Sequence, residues 1–419
     1  MKSTRLSIAV STLLFVAIAL ALPSQIGNGY AKSSWQLSEW LINYQGGFVR
    51  RGLPGEILWQ LNDRWGVDPY LAVVSLTLAV YVVVIGYAIR GAWLGRLPWA
   101  FVPASMALGF PVFGQDWLRK DVLLLVLFAL ALKLAFVRSP IARIVGLNAV
   151  IVIAVLSHEA FIFFALPAIV WIGLRHRGVR SLIELAPSWI ATFAVVLFHG
   201  SSEIAQRVWA SWAGITFTGT NLAQGPANSA SPLAAVESLG WSATRGWEIT
   251  KGALAATTHG VPVVLVWAVI IPLVIVTTIA ILGSHFVAAL ASPDEGLDRL
   301  SFLGLAAAQF LVTVPLYIAG VDWGRWLFLW ASSVGVILVV IPRPELATLA
   351  APFGRFWLRG GAHSLGSRGQ RLATLVQKVC GLRTVLTLVL LVLAIPPSLL
   401  NVDVVNYAPL VQLVDAIKS

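Results

Sequence analysis

The chain has 419 residues, 58% of them hydrophobic and only 11% charged, with a formal net charge of +11. A soluble domain carries about 25% charged residues, so this chain lacks the polar side chains to cover a water-soluble body. Its single cysteine, Cys380, excludes an intrachain disulfide framework, and no Cys/His cluster has the spacing of a metal site.

Apolar runs near twenty residues recur along the chain, long enough to cross roughly 30 Å of hydrocarbon as helices. They show no strand alternation, which argues against a membrane barrel. The expected fold is all-α: a polytopic transmembrane helical bundle forming one integral membrane domain over residues 1–419.

The first run lies in "MKSTRLSIAVSTLLFVAIALALPSQ". A basic start followed by an apolar stretch also describes a secretory signal, and Ala19-Leu20-Ala21 offers a small-x-small cleavage pattern. The many runs downstream favour an uncleaved first span. A first outer loop, residues 25–68, follows with an amphipathic segment. Further runs centre on 69–89, 98–113, 121–137, 143–156, 160–174, 181–199, 261–282, 300–319, 326–342 and 384–400, which makes about eleven spans. Residues 200–260 form a second large outer loop, whose middle, "TGTNLAQGPANSASP", reads as a flexible lid or as an ordinary linker. Residues 343–383 form a basic cytoplasmic loop.

With Lys2 and Arg5 inside, the cytoplasmic side holds 18 of the 29 Lys and Arg residues and 5 of the 18 acids. The outer side is left with 11 basic and 13 acidic residues, so the positive excess is all cytoplasmic, as membrane proteins tend to arrange it. The basic balance therefore reports topology and contact with anionic lipid, and lends no support to nucleic-acid binding. The chain carries no phosphate-binding Gly-rich loop, no dinucleotide fingerprint, no HExxH and no GxSxG. No cofactor and no metal are expected.

Four charged clusters fall at outer span ends in this topology: "GGFVRRGLPGE" (46–56), "GQDWLRKD" (114–121), "SHEA" (157–160) and "GVDWGRW" (320–326). They place Arg50, Arg51, Arg119, Lys120 and Arg325 on the side that disfavours basic residues. A single interfacial Arg or Lys reads equally as a snorkelling anchor, and most of the eighteen tryptophans as an interfacial belt. Snorkelling accounts less well for glycines around an arginine pair, or for His158 beside Glu159 at a helix junction. Two or more clusters are therefore expected to share one outer-face polar site.

Gly46, Gly47 and Gly52 remove side-chain bulk, so backbone N–H groups there can approach a ligand. Arg50 and Arg51 add planar forks matched to phosphate oxygens. Arg119, Lys120 and Arg325 are further phosphate-binding candidates, although Asp116 and Asp121 flank the first two. Glu56, Glu159, Asp322 and His158 are the candidate acids and bases. A desolvated carboxylate such as Glu159 is expected to have its pKa raised toward general-base values. Each also has a bland reading: His158 as a packing residue, and Asp322–Arg325 as an (i, i+3) ion pair.

This layout resembles bacterial membrane enzymes that build surface glycans from lipid-linked sugars, namely GT-C-type glycosyltransferases and Wzy or EpsG-type polysaccharide polymerases. The resemblance is one of architecture: about eleven spans, a Trp-rich and acid-bearing first outer loop, and outer-face Arg, Asp and His groups. It implies a carboxylate of the first outer loop as base, where Glu39, Glu56 and Asp63 stand, while the acidic pair often present there is missing. It also implies outer-face arginines around a lipid diphosphate, and Arg50, Arg51 and Arg325 occupy suitable positions.

The function this implies is transfer of a sugar from a polyprenyl phosphate or diphosphate carrier, at the outer face of the bacterial inner membrane with the N-terminus cytoplasmic. Partners would be the polyprenyl-linked glycan, membrane lipids and envelope polysaccharide assembly proteins. Two alternatives stay open. One is a transporter or flippase of a lipid-linked or anionic solute, although no matched pair of interrupted spans is evident. The other is a non-catalytic subunit of an envelope assembly, whose charged clusters only hold spans together.

Overall fold

A computed structural model describes residues 2–27, 34–101, 109–114, 116–215, 231–232, 234–290, 295–356 and 364–382. It also describes 385–418 apart from 387, 390–392 and 394. Helices dominate: α1 (Lys2–Gly27), α2 (Ser34–Trp40), α3 (Gly52–Trp65), α4 (Pro69–Trp93), α5 (Gly109–Phe113), α6 (Asp121–Ala135) and α7 (Pro140–Ser157) come first. Next come α8 (Ala160–Phe164), α9 (Leu166–Arg177), α10 (Arg180–Glu184), α11 (Ala186–Leu197), α12 (Ser202–Ala210), α13 (Ala234–Glu237) and α14 (Ala243–Ala255). The chain continues through α15 (Val263–Leu290), α16 (Glu295–Ala319), α17 (Trp323–Val340), α18 (Arg343–Phe356), α19 (Ser364–Gly381) and α20 (Pro409–Lys418). The only strands among the described residues are the two-residue β1 (Thr257–Thr258) and β2 (Val261–Pro262). His259 and Gly260, both at positive φ, close them into a tight hairpin.

Six helical stretches among the described residues are long and apolar enough to cross a membrane: Pro69–Trp93, Pro140–Ser157, Ala160–Arg177, Val263–Val287, Arg299–Ile318 and Trp323–Val340. Ser11–Pro23 and Ala186–Leu197 are shorter apolar stretches. The chain is a helical membrane protein. The expected run at 98–113 shows only a short turn at Trp99–Phe101 and the five-residue α5, with 102–108 outside the described residues. Much of 384–394 and the loop segment 216–230 also lie outside them.

Proline explains two further departures from the expected runs. The 181–199 run divides at Leu185 into α10 and α11, and 160–174 divides at Ala165 into α8 and α9. Pro187 and Pro167 sit at the first turns of α11 and α9, where a proline is tolerated but the preceding helix is stopped.

The chain forms two compact units. One comprises residues 1–21, 84–114 and 251–419, and in it α15 and α16 pack against each other and against α17, α18 and α19. Its α17 is buried at every residue from Gly324 to Gly335. Two glycines let it in: a Cβ on Gly324 would lie 1.9 Å from the Pro396 carbonyl oxygen, and one on Gly335 would lie 2.5 Å from the Phe101 ring.

The other unit comprises residues 22–83 and 115–250. Here α7 packs on α3, α6 and α11, while α2 packs on α3 and α13. Ser139 caps α7 by accepting the Ala142 N–H, with Pro140 beside it in the first turn. Buried Asn148 of α7 donates to the Ile144 and Glu184 carbonyls and accepts from the Ser188 amide and hydroxyl, locking the α10–α11 break onto α7.

Tryptophan is used for packing more than the expected interfacial belt allows. Trp40, Trp117, Trp209, Trp212, Trp267, Trp326 and Trp330 are buried, whereas Trp65, Trp93, Trp99 and Trp247 are exposed. The indole N–H groups of Trp40, Trp212 and Trp330 donate to the carbonyls of Leu118, Leu41 and Ala306, which satisfies the one polar atom each brings inside.

Candidate functional site

Three of the four charged clusters come together within the second unit. Four short pieces of chain deliver them: α2, the turn before α3, residues 116–121, and the α7–α8 junction. Trp40 and Gln36 of α2 hold the 116–121 segment in place, Trp40 Nε1 donating to the Leu118 carbonyl at 2.7 Å and Gln36 Oε1 accepting the Leu118 N–H. The arginine turn is seated by its backbone, since the Arg50 N–H donates to the Phe198 carbonyl at 3.1 Å.

At the centre lies Glu39, with no exposed surface. Its Oε1 is 2.9 Å from His158 Nε2 and 3.8 Å from Arg51, and its Oε2 is 3.8 Å from Arg119. A buried carboxylate keeps its charge only with such partners. Arg119 turns its Nε to Asp116 at 3.0 Å, so the pairing expected of the 114–121 cluster is present but shared with Glu39.

His158 caps the C-terminal end of α7 in extended backbone. Its Nδ1 accepts the Ala160 N–H at 3.1 Å, which leaves Nε2 as the protonated nitrogen facing Glu39. Burial pushes the imidazole below its ordinary pKa and Arg51 adds to this, outweighing Glu159 and Glu39. His158 is thus neutral, with its Nε2 held against the Glu39 carboxylate.

Lys120, fully buried, staples the site from beneath. Its ammonium donates to the carbonyls of Arg51 and Ser157, both at 3.3 Å, and lies 5.5 Å from the centre of the Trp40 ring. The Ser157 carbonyl belongs to the last turn of α7, where a cation is favoured by the helix dipole. Arg51 itself takes a left-handed backbone (φ 64°), unusual outside glycine, and Lys120 holds the carbonyl of that turn.

On the rim, Arg51 forks onto Glu159. Its Nε donates to Oε2 at 2.7 Å and its Nη2 to Oε1, while Arg50 approaches Oε1 at 3.6 Å. Burial alone would raise the Glu159 pKa, but the Arg51 guanidinium, with Arg50 beside it, holds it well below the usual carboxylate range. This corrects the expectation of a raised, base-like Glu159: desolvation is present, and two guanidiniums overwhelm it. Glu159 is an ionised anchor for Arg51.

Arg50 is the least enclosed of the four cations, with 27% of its side chain exposed. Its Nε is buried without a hydrogen-bond partner. Burial pushes its guanidinium below the ordinary value, Glu159 partly offsets this, and Arg51 adds to the lowering. Four cations, Arg50, Arg51, Arg119 and Lys120, stand with four acids, Glu39, Glu159, Asp116 and Asp121, the last buried at the start of α6.

Three of the expected candidates have other work. Glu56 accepts the Tyr44 N–H at 3.1 Å and the amides of Gln45 and Gln60, tying α3 to the turn before it. Asp322 and Arg325 lie in the other unit, where they pair at 2.7 Å and Arg325 stacks over Trp326.

Gly46, Gly52 and Gly55 of "GGFVRRGLPG" serve close packing. A Cβ on Gly46 would sit 2.8 Å from the Ile204 carbonyl oxygen of α12, and one on Gly52 would sit 2.2 Å from the Tyr44 ring. Gly47, at φ 115°, turns the chain and has open space around its Cβ position.

Sequence reasoning placed Glu39 among the loop acids and missed it as the centre. The signal was there in "SWQLSEWLI", where Glu39 is the one charged residue, set between Trp35 and Trp40 in a short helix.

No family model, curated protein or solved structure matches this chain. Its functional reading rests on the site alone.

Proposed function

We propose that the protein is a glycosyltransferase or polysaccharide polymerase of the bacterial inner membrane, with about eleven spans and its N-terminus cytoplasmic. It takes a polyprenyl phosphate- or diphosphate-linked sugar at the outer face. The acceptor hydroxyl oxygen forms the new bond to the anomeric carbon as the bond from that carbon to the carrier phosphate oxygen breaks. The bonding pair leaves on the phosphate, and the acceptor proton is lost to a base.

The observation that carries this reading is Arg50. Its guanidinium stands at the rim of a buried charged network, partly exposed, with donor capacity unfilled. Beside it, Arg51 is locked in place by Glu159, and Glu159 by Arg51. A phosphate arriving at this depth meets preorganised donors in a partly dehydrated setting, the arrangement that stabilises charge developing on a leaving group. The balance of four cations and four acids equally suits a purely structural clamp between helices.

Purified protein in liposomes, given a polyprenyl diphosphate-linked sugar and an acceptor glycan, separates these readings. An enzyme makes a new glycosidic bond, and Arg50→Gln lowers its turnover about 100-fold without shifting the thermal unfolding midpoint. A transporter moves the intact lipid-linked sugar across the bilayer. A structural subunit does neither, and a wild type with neither activity contradicts the proposal.

A further inference from the structure

A second charged cluster lies at the opposite end of α7. Arg143 from the start of α7, Arg177 from the end of α9 and Arg180 from the start of α10 converge on Glu184, at 3.6, 3.1 and 3.6 Å. The Asn148 lock, which binds the Glu184 carbonyl and Ser188, fixes the α10–α11 break against α7 and so sets Glu184 beside Arg143. Three guanidiniums share one carboxylate, which leaves two positive charges uncompensated. Arg143 Nε is buried without a hydrogen-bond partner, and Arg180 is 82% exposed.

This differs from the Glu39 network, where acids and cations balance. A bias of basic residues toward one side of a membrane requires charge there, but not three arginines from three elements around one acid. Large apolar side chains lie exposed within the same short stretches: Ile141 and Val145 on α7, Val179 and Ile183 around α10. Cationic forks beside exposed aliphatic side chains match an amphiphile that is anionic at its head and apolar in its tails. The 18 residues of α7 span about 27 Å, so its two ends stand near the two faces of the hydrocarbon layer.

We propose that Arg143, Arg177 and Arg180 form a binding site for the phosphate headgroup of an anionic membrane phospholipid, with Glu184 spacing the guanidiniums. The lipid phosphodiester completes the charge that Glu184 leaves open, and its acyl chains lie against Ile141, Val145, Val179 and Ile183. The site is separate from the proposed sugar-transfer site and stands whether or not that reading holds.

Native mass spectrometry of the full-length protein in detergent tests this, with phosphatidylglycerol and phosphatidylcholine supplied together. The expected result is preferential retention of phosphatidylglycerol, weakened about fivefold in Arg180→Gln and abolished in Arg143→Gln/Arg177→Gln. Arg180 is so exposed that its substitution spares the fold, and it carries the test if the double variant does not fold. Equal retention of the two lipids overturns the proposal, as does a phosphatidylglycerol preference unchanged in Arg180→Gln. Displacement of the lipid by excess inorganic phosphate assigns the site to free phosphate and overturns the lipid assignment.

Discussion

Glu39 meets His158, Arg51 and Arg119 within 3.8 Å while fully buried, so its charge and theirs depend on one another. Glu39→Gln keeps the volume and removes the charge, leaving two guanidiniums partly stranded. Breaking a buried ion pair from one side costs about 3–5 kcal/mol, which a lowered thermal unfolding midpoint will show. Acid should act on the same network from two groups. The folded-state pKa of His158 lies below its unfolded value of 6.5, so its stabilisation is present above pH 6.5 and is lost as pH falls toward the depressed folded value. Glu159 also has a folded pKa well below its unfolded 4.5, so its share is lost in a lower window, as pH falls through the folded value. Unfolding midpoints taken from pH 8 downward should therefore be flat, then fall below about 6.5 and again below about 4.5. A midpoint that rises on acidification would contradict the neutral His158 and the ionised Glu159.

At the scale of elements, the arginine turn owes its shape to glycines that admit other backbone. A Cβ on Gly55 of α3 would lie 2.0 Å from the Ile42 carbonyl oxygen, and backbone cannot swing aside as a side-chain end can. Gly55→Ala should cost about 3 kcal/mol or more and displace the Arg50–Arg51 turn, read as a lower unfolding midpoint together with lost activity. Sequence alone showed that these glycines matter but pointed to ligand approach, because a contact with backbone 158 residues away, as of Gly46 with Ile204, leaves no local signature. The α8–α9 and α10–α11 breaks were more legible in principle, since Pro167 and Pro187 mark them directly. Hydropathy runs pass over such breaks because proline changes the backbone while leaving the apolar average intact. Which charged clusters would meet was only partly legible. Long-range packing of α3 and α6 on α7 gathers the first three, whereas Asp322 and Arg325 pair with each other at the start of α17.

For the whole molecule, helical membrane character follows from composition, and six helices among the described residues have the length and apolarity to cross. The orientation belongs to the proposal and has its own check. In a Cys380→Ser background, Glu203→Cys and Arg180→Cys both replace well-exposed side chains. An impermeant thiol reagent applied to intact cells should modify Glu203→Cys, and reach Arg180→Cys only after permeabilisation. The central claim is that Arg50 and the network behind it hold the phosphate of a lipid carrier. The most direct measurement is native mass spectrometry of the purified chain offered polyprenyl diphosphate and the corresponding polyprenol in competition. The account predicts preferential retention of the diphosphate, reduced at least about tenfold in Arg50→Gln. Equal retention of the two lipids, or a diphosphate preference indifferent to Arg50→Gln, would contradict it.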